Sequence, residues 1–321
     1  MTLLATTHAL LGGPALALGV AAGFTAALAS AVSYFISRHH GNGGGSSLRL
    51  LVLSHALMGA VCIPGAWLLW PASLPPASAW LVPLLGSATS YLCGQSLVFA
   101  ALSRAETSRV APLLGLKIAM LAAIVSMLPG EPLDLRQWIA VALSLVAAAM
   151  LQRGGGLQPA ALALTLTACV TFAVSDLFIV ALIDGLQQTA AAAGSPLGRV
   201  RAGVLAMAVT YVVCGLLSAI VMLASRGRPT GWHDWNFAIR YAATWLVGMA
   251  ALYTCFGLVG AIFGNILQST RGMMAIAIGA ALAHQGWHDL ETRVDRQTLT
   301  RRAVAAVLMT AAIALYVIDL T

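Results

Sequence analysis

The sequence has very little charge. Of its 321 residues, 8% are charged and 60% are hydrophobic, and the mean hydropathy is +0.90. Water-soluble domains are about 25% charged, so this composition excludes that class. Aromatic residues are also few, at 7%, whereas alanine, leucine and glycine are abundant, which is typical of closely packed transmembrane helices. The apolar runs are long and do not alternate with polar residues, so a membrane β-barrel is excluded.

Motifs of several other protein classes are also missing. The five cysteines lie inside apolar runs without a CxxC pair, which indicates neither a disulfide framework nor a zinc site. The sequence contains no Walker-type loop for ATP and no GxSxG or HExxH motif. The net charge of +7 comes from arginines between apolar runs, a topology signal rather than a nucleic-acid footprint. We therefore expect no cofactor and no nucleic acid, and we expect a small-molecule solute and the lipid bilayer as partners.

A membrane-spanning helix needs about 20 mostly apolar residues, and ten stretches meet that requirement. The first has no basic region of the kind that precedes a cleaved signal peptide, so we expect it to be retained. The predicted spans are 15–37, 49–70, 80–102, 107–128, 136–152, 160–184, 199–224, 236–257, 260–283 and 301–320. We predict an all-α, multi-pass integral membrane protein of the plasma (inner) membrane.

A glycine-rich stretch, "RGGGLQP" at 153–159, divides the ten spans into two sets of five. Each set has a very short connection between its third and fourth spans and a charged connection before its last span. Because five is odd, the second set must run in the opposite direction to the first, which is the inverted-repeat plan of many secondary transporters. We predict one repeat at 1–155 and the other at 156–321.

Arginine is distributed unevenly between the two sides of this predicted bundle. The loops after odd-numbered spans hold eleven arginines, and the loops after even-numbered spans hold three. The positive-inside rule therefore places the odd-numbered loops in the cytoplasm and both termini outside.

Two cations lie at the predicted centre of the bilayer. At 1.5 Å per residue, Lys117, the only lysine, lies about 15 Å along the fourth span, and Arg271 reaches a similar depth in the ninth. An ionised side chain facing lipid at this depth costs at least about 2.5–3.5 kcal/mol. We predict that both border one aqueous cavity between the repeats. The alternative is that each cation is neutralised by a buried partner such as Asp176 and only locks helices together.

Further polar residues in the spans are candidates for solute binding. Asp176, in the sixth span, could be a proton site, an ion-pair partner of either cation, or a solute ligand, and the sequence leaves these roles open. Asn265, Gln268 and Arg271 are spaced by three and share one helical stripe. The other predicted cavity residues lie in the first and third spans: Ser33, Tyr34, Tyr91 and Gln95.

Pro112 lies early in the fourth span. A proline within a helix removes one backbone hydrogen bond and kinks the axis, so we consider Pro112 a candidate hinge. The alternative is that it lies in the first turn, where proline is tolerated.

The segment 101–151 resembles an EamA-type member of the drug/metabolite transporter superfamily. The resemblance is carried by "SRVAP" at 108–112, by the "GE" pair Gly130 and Glu131, and by the short Ala/Leu/Val span that follows. It implies a cavity walled by the first, third, fourth, sixth, eighth and ninth spans. It also implies cytoplasmic termini, contrary to the arginine count.

"GNILQSTRG" at 264–272 is similar to the phosphate-translocator branch, but Gln268 and Ser269 stand where that branch has a basic pair, which weighs against a phosphate solute.

We therefore predict a secondary transporter that moves a small polar metabolite by alternating access between the two inverted repeats, and not an enzyme. Two cations against one buried acid favour an anionic solute. One alternative is a non-transporting scaffold or sensor, in which the charges pair with each other and enclose no water. Another is an intramembrane metalloenzyme using His284 and His288, which are spaced i, i+4. Proton coupling and a homodimer are left open.

Overall fold

A computed structural model describes the protein over most of its length. The described residues are 13–71, 76–105, 107–127, 133–152, 158–192, 194, 196–224, 231–286 and scattered positions between 297 and 315. Across these ranges every regular element is helical and no strand is present. This agrees with the all-α class predicted from composition.

The helices follow the apolar runs of the sequence. They are α1 (Pro14–Asn42), α2 (Ser47–Leu69), α3 (Ala77–Leu102), α4 (Thr107–Leu113), a 3₁₀ turn (Leu114–Leu116), α5 (Lys117–Ser126), α6 (Leu135–Gln152), α7 (Pro159–Ala192), α8 (Arg199–Ala224), α9 (Trp232–Val259), α10 (Ala261–Ser269) and α11 (Arg271–His284). The largest departure from the predicted bounds is α7, which continues from 184 to 192. Asp184, at the predicted end of the sixth span, therefore lies inside a helix, and buried Leu186 and Ala190 follow it.

Seven helices in the described ranges are long and apolar enough to cross a membrane. The broken pairs α4–α5 and α10–α11 each count as one of the seven. The predicted total of ten is not confirmed. Helix α3 carries many polar residues, α6 counts over Leu135–Ala147 only, as a shorter apolar helix, and most of 301–320 lies outside the described residues.

Two predicted spans are interrupted near their middle. The fourth is broken by the 3₁₀ turn at Leu114–Leu116, two residues after Pro112, and the ninth is broken at Thr270. Lys117 and Arg271 are the first residues of the segments that follow these breaks. Each midplane cation therefore lies at a helix junction.

Three long helix pairs form the body of the bundle: α1 packs along α9, α3 along α7, and α2 along α8. Near the start of α1, Gly19 lies against Val259, the last residue of α9. Further along α1, Ser33 bonds Thr244, nearer the start of α9. The partners in this pair therefore run antiparallel.

Helices α2 and α8 make backbone contact at two glycines. A Cβ added to Gly59 would lie 2.7 Å from the Cα of Gly215, and one added to Gly215 would lie 2.6 Å from the Cα of Gly59. Such separations leave no room for a side chain on either residue. Small residues allow this approach, which increases dispersion contact where lipid provides no hydrophobic drive for association.

An ionic cluster joins three helices at the end of the bundle where α9 begins. Asp234, in the first turn of α9, accepts a hydrogen bond from Arg49 Nη1 at 3.0 Å and lies 3.0 Å from His40 Nε2. His40 and Arg49 belong to α1 and α2. The cluster therefore ties the ends of α1, α2 and α9 together.

The close contact at Gly59 predicts that alanine lowers stability at this position and not at Gly65 of the same helix. Gly59→Ala should destabilise the protein by about 1–3 kcal/mol, because the new methyl group overpacks the backbone of α8. Gly65→Ala is the matched control, since Gly65 is on the same helix and has nothing within 4 Å of its would-be Cβ. Thermal unfolding of detergent-purified protein measures both variants. Equal stability of the two would contradict the close packing described here.

Candidate functional site

Lys117 is buried in a polar contact between three helical segments. Its side chain lies at the start of α5, and the residue is 4% exposed. Nζ is 3.0 Å from Asp176 Oδ2 on α7 and donates to Gln268 Oε1 on α10 at 2.9 Å. The Nζ atom also lies 5.7 Å from the centre of the Phe172 ring. The lysine therefore has a counter-ion, a neutral acceptor and an aromatic face.

Asp176 is shared between that lysine and an amide. It lies near the middle of α7 and is 3% exposed. Its Oδ2 also accepts a hydrogen bond from Asn265 Nδ2 at 2.7 Å. The Oδ1 atom of Asn265 is buried and has no hydrogen-bond partner. The stripe predicted on the ninth span thus brings Asn265 and Gln268 to the same ion pair.

Arg271 is also buried but is left uncompensated. The residue is 3% exposed, and its Cζ lies 6.0 Å from the centre of the Tyr34 ring. Within the described parts of the chain it makes no ion pair, and its Nε atom has no hydrogen-bond partner. A guanidinium stays charged in proteins, so this charge must be stabilised by water, by the Tyr34 ring or by an anion.

The two cations border one cavity. The cavity contains about 370 Å³ of space not occupied by atoms, counting the part that opens to solvent. The volume available to the centre of a water molecule is only about 20 Å³. The walls combine the ionic groups with aromatic and apolar side chains. The lining residues are Tyr34, Tyr91, Lys117, Phe172, Ser175, Asp176, Ile179, Trp245, Met249, Leu252, Tyr253, Gln268 and Arg271. They come from the first, third, fourth, sixth, eighth and ninth predicted spans, the same six that the family resemblance implies.

Three predicted cavity residues do not line the cavity: Asn265, which bonds Asp176, and Ser33 and Gln95. Ser33 bonds Thr244 Oγ1 at 2.8 Å and the carbonyl oxygen of Ala29 at 2.8 Å. Gln95 donates from Nε2 to the Tyr241 hydroxyl at 2.5 Å, and its Oε1 has no partner. Neither is among the lining residues. Both instead join helices to α9, so their polar groups serve helix packing in this conformation.

The remaining predictions fall partly outside the described structure. The backbone of Pro112 lies within α4, and its side chain is not described. His284 ends α11 and is exposed, whereas His288 lies outside the described residues, so their proposed pairing is not tested. Over the ranges that the structure describes, no group of three or more His, Cys, Asp or Glu side chains could hold a metal ion.

Several wall residues were not predicted from the sequence. Phe172, Met249, Leu252 and Tyr253 look like ordinary residues of a membrane helix, since apolar side chains face lipid and cavity alike. Trp245 is the wall residue whose position in the sequence could have indicated a role in the cavity. Tryptophan favours the membrane interface, but this one lies in the middle of α9 and is buried.

Comparison with known proteins finds a family match within the first half of the chain. Residues 17–153 match the EamA-like transporter family. A solved crystal structure, described only as that of a protein, has a TM-score of 0.60 and 18% identity, over 92% of this chain and 97% of that one. At this identity the likeness shows the fold alone. No curated protein matches the chain.

The buried ion pair predicts a large difference between single and double substitutions. Lys117→Met should cost about 3–5 kcal/mol of stability, because it leaves Asp176 buried without its cation. Lys117→Met combined with Asp176→Asn should recover most of that loss. Arg271→Met is the control and should cost less than Lys117→Met, since no ion pair is broken. Thermal unfolding in detergent measures all three, and a double variant no more stable than Lys117→Met would refute the pairing.

Proposed function

We propose that the whole chain is a secondary transporter for a small anionic metabolite, since residues 17–153 match the EamA-like transporter family. It would work by alternating access between two inverted five-span repeats, 1–155 and 156–321, in the plasma (inner) membrane. The seven apolar helices and the family match make it a multi-pass integral membrane protein. The anionic solute, the repeats and the location are the proposed part.

The pattern of helix pairs supports the two-repeat plan. If spans one to five correspond to spans six to ten, a two-fold axis converts a contact between the first and eighth spans into one between the sixth and third. The same axis exchanges the second and seventh spans, so a contact between those two spans is unchanged by it. The observed long pairs are α1 with α9, α7 with α3, and α2 with α8, which are the first with the eighth, the sixth with the third, and the second with the seventh.

The two interrupted spans also correspond under this plan. The fourth and ninth spans are each broken near the middle, and each break is followed at once by a cation, Lys117 or Arg271. Discontinuous helices at the bilayer midplane commonly border the solute site in secondary transporters. This supports placing the solute at the junctions of α4–α5 and α10–α11.

The uncompensated charge of Arg271 is the observation that carries the anionic solute. Lys117 has Asp176 as its counter-ion, so the charge of Arg271 remains available to bind an anion. A guanidinium offers parallel N–H donors that match a carboxylate in a bidentate geometry. The scaffold alternative requires both cations to be paired, and within the described residues Arg271 makes no ion pair.

The small free space supports a conformational cycle. Room for about one water molecule is too little for a metabolite, so a solute must enter when the helices separate. Opening that moves α5 away from α7 would part Lys117 from Asp176 and leave the carboxylate without its cation. Proton coupling through Asp176 is therefore part of the proposal.

A ligand screen tests the proposed function. Purified protein in detergent is heated with small carboxylates, inorganic phosphate, amino acids or cationic drugs, and binding raises the melting temperature by mass action. Carboxylates should stabilise the wild-type protein. Arg271→Gln should weaken their binding by about 10–150-fold, the loss of a charged hydrogen bond.

The control is Arg104→Gln, because Arg104 is exposed and bonds its own helix end. The stabilising carboxylate is then used in uptake assays with the same variants in proteoliposomes, where Arg271→Gln should be inactive and the control active. Stabilisation by cationic drugs alone, or full binding by Arg271→Gln, would reject an anion carrier.

A further inference from the structure

A buried histidine outside the cavity contacts the wall residue Tyr91 directly and the wall residue Trp245 through Tyr211. His55 lies in α2, is 0% exposed and does not line the cavity. Its Nδ1 is 2.8 Å from the carbonyl oxygen of Leu51, and its Nε2 is 3.0 Å from the hydroxyl of Tyr91. Tyr91 does line the cavity. The imidazole therefore connects the α2 backbone to the cavity wall.

These two contacts set the tautomer of His55. A carbonyl oxygen only accepts hydrogen bonds, so Nδ1 must carry the proton. No carboxylate forms an ion pair with His55 in the described structure, so a second proton on Nε2 would bury an uncompensated charge. The ring is then neutral, Nε2 accepts, and the Tyr91 hydroxyl donates its proton to His55.

The same imidazole reaches a second wall residue through Tyr211. The rings of His55 and Tyr211 stack with centroids 6.1 Å apart and planes at 14°. The Tyr211 hydroxyl accepts a hydrogen bond from Trp245 Nε1 at 2.7 Å. The Tyr91 ring contacts Tyr211 edge-on at 5.5 Å. The Tyr91 hydroxyl and the Trp245 indole N–H are therefore both used within the aromatic cluster.

We propose that His55 is a positioning residue that holds Tyr91 and, through Tyr211, Trp245 with their ring faces toward the solute. These two residues then offer aromatic surface with their own hydrogen-bond donors already used, so this side of the cavity favours a carboxylate that carries an apolar, ring-sized body. This proposal rests on the proposed function, in which Arg271 binds the carboxylate. His55 contributes the preference for the rest of the solute.

The tautomer is tested directly and without a ligand. The ¹⁵N NMR spectrum of ring-labelled histidine in the purified protein should show one residue with Nδ1 protonated and Nε2 unprotonated, and that signal should vanish in His55→Gln. A His55 signal with Nε2 protonated would overturn the proposal, because Tyr91 would then be free to donate into the cavity.

Solute preference is tested with benzoate and acetate, which share a carboxylate and differ in their apolar body. Wild-type protein should bind benzoate at least about tenfold more tightly than acetate. His55→Leu should remove most of that ratio and leave acetate binding unchanged. His55→Gln should preserve it, because the amide can donate to Leu51 and accept from Tyr91.

Each other result has a defined meaning. If His55→Leu weakens benzoate and acetate equally, or leaves the ratio intact in a protein of wild-type melting temperature, the positioning role is refuted. If wild-type protein binds neither probe, the proposed function fails, and the NMR tautomer alone decides whether His55 orders the aromatic cluster. Tyr91→Phe combined with His55→Leu should change the ratio by less than the sum of the two single effects.

Discussion

The central constraint on this molecule is that a charge inside a membrane bundle must be compensated. Three ionised side chains converge on one narrow cavity: Lys117, Asp176 and Arg271. The lysine and the aspartate form an ion pair, and the arginine remains with a ring face and an unbonded Nε. Among the described lining residues one positive charge is therefore without a protein counter-ion, and the proposed anionic solute is argued from that imbalance.

The helix packing explains how this imbalance is tolerated. Long antiparallel pairs, with glycine contacts that bring α2 and α8 together, enclose the site in protein rather than lipid. The two cations lie where helices are interrupted, at the starts of α5 and α11. Their counter-charge, Asp176, lies on α7, one of the helices of the long pairs.

Much of this arrangement could be predicted from the sequence, because hydropathy and buried charge are strong local signals. Eight of the predicted spans, all but the sixth and the tenth, begin and end within five residues of the observed helices when α4–α5 and α10–α11 each count as one span. The cavity brings together Lys117, Asp176, Gln268 and Arg271, and their role in binding a solute stays a prediction. What the sequence could not give was pairing across the fold. It could not show which cation Asp176 would take, nor that Ser33 and Gln95 would bond residues of α9. His55 and the aromatic wall were missed because their roles depend on neighbours from other helices.

The account is tested most directly by a crystal structure of the protein soaked with 4-bromobenzoate, whose bromine can be located by anomalous scattering. The account predicts a bromine peak between Tyr91, Phe172 and Trp245, with the carboxylate on the Arg271 guanidinium and the Lys117–Asp176 pair intact or parted by the solute. An Arg271 side chain that faces lipid, or that is paired with a protein carboxylate with no space beside it, would contradict the central claim.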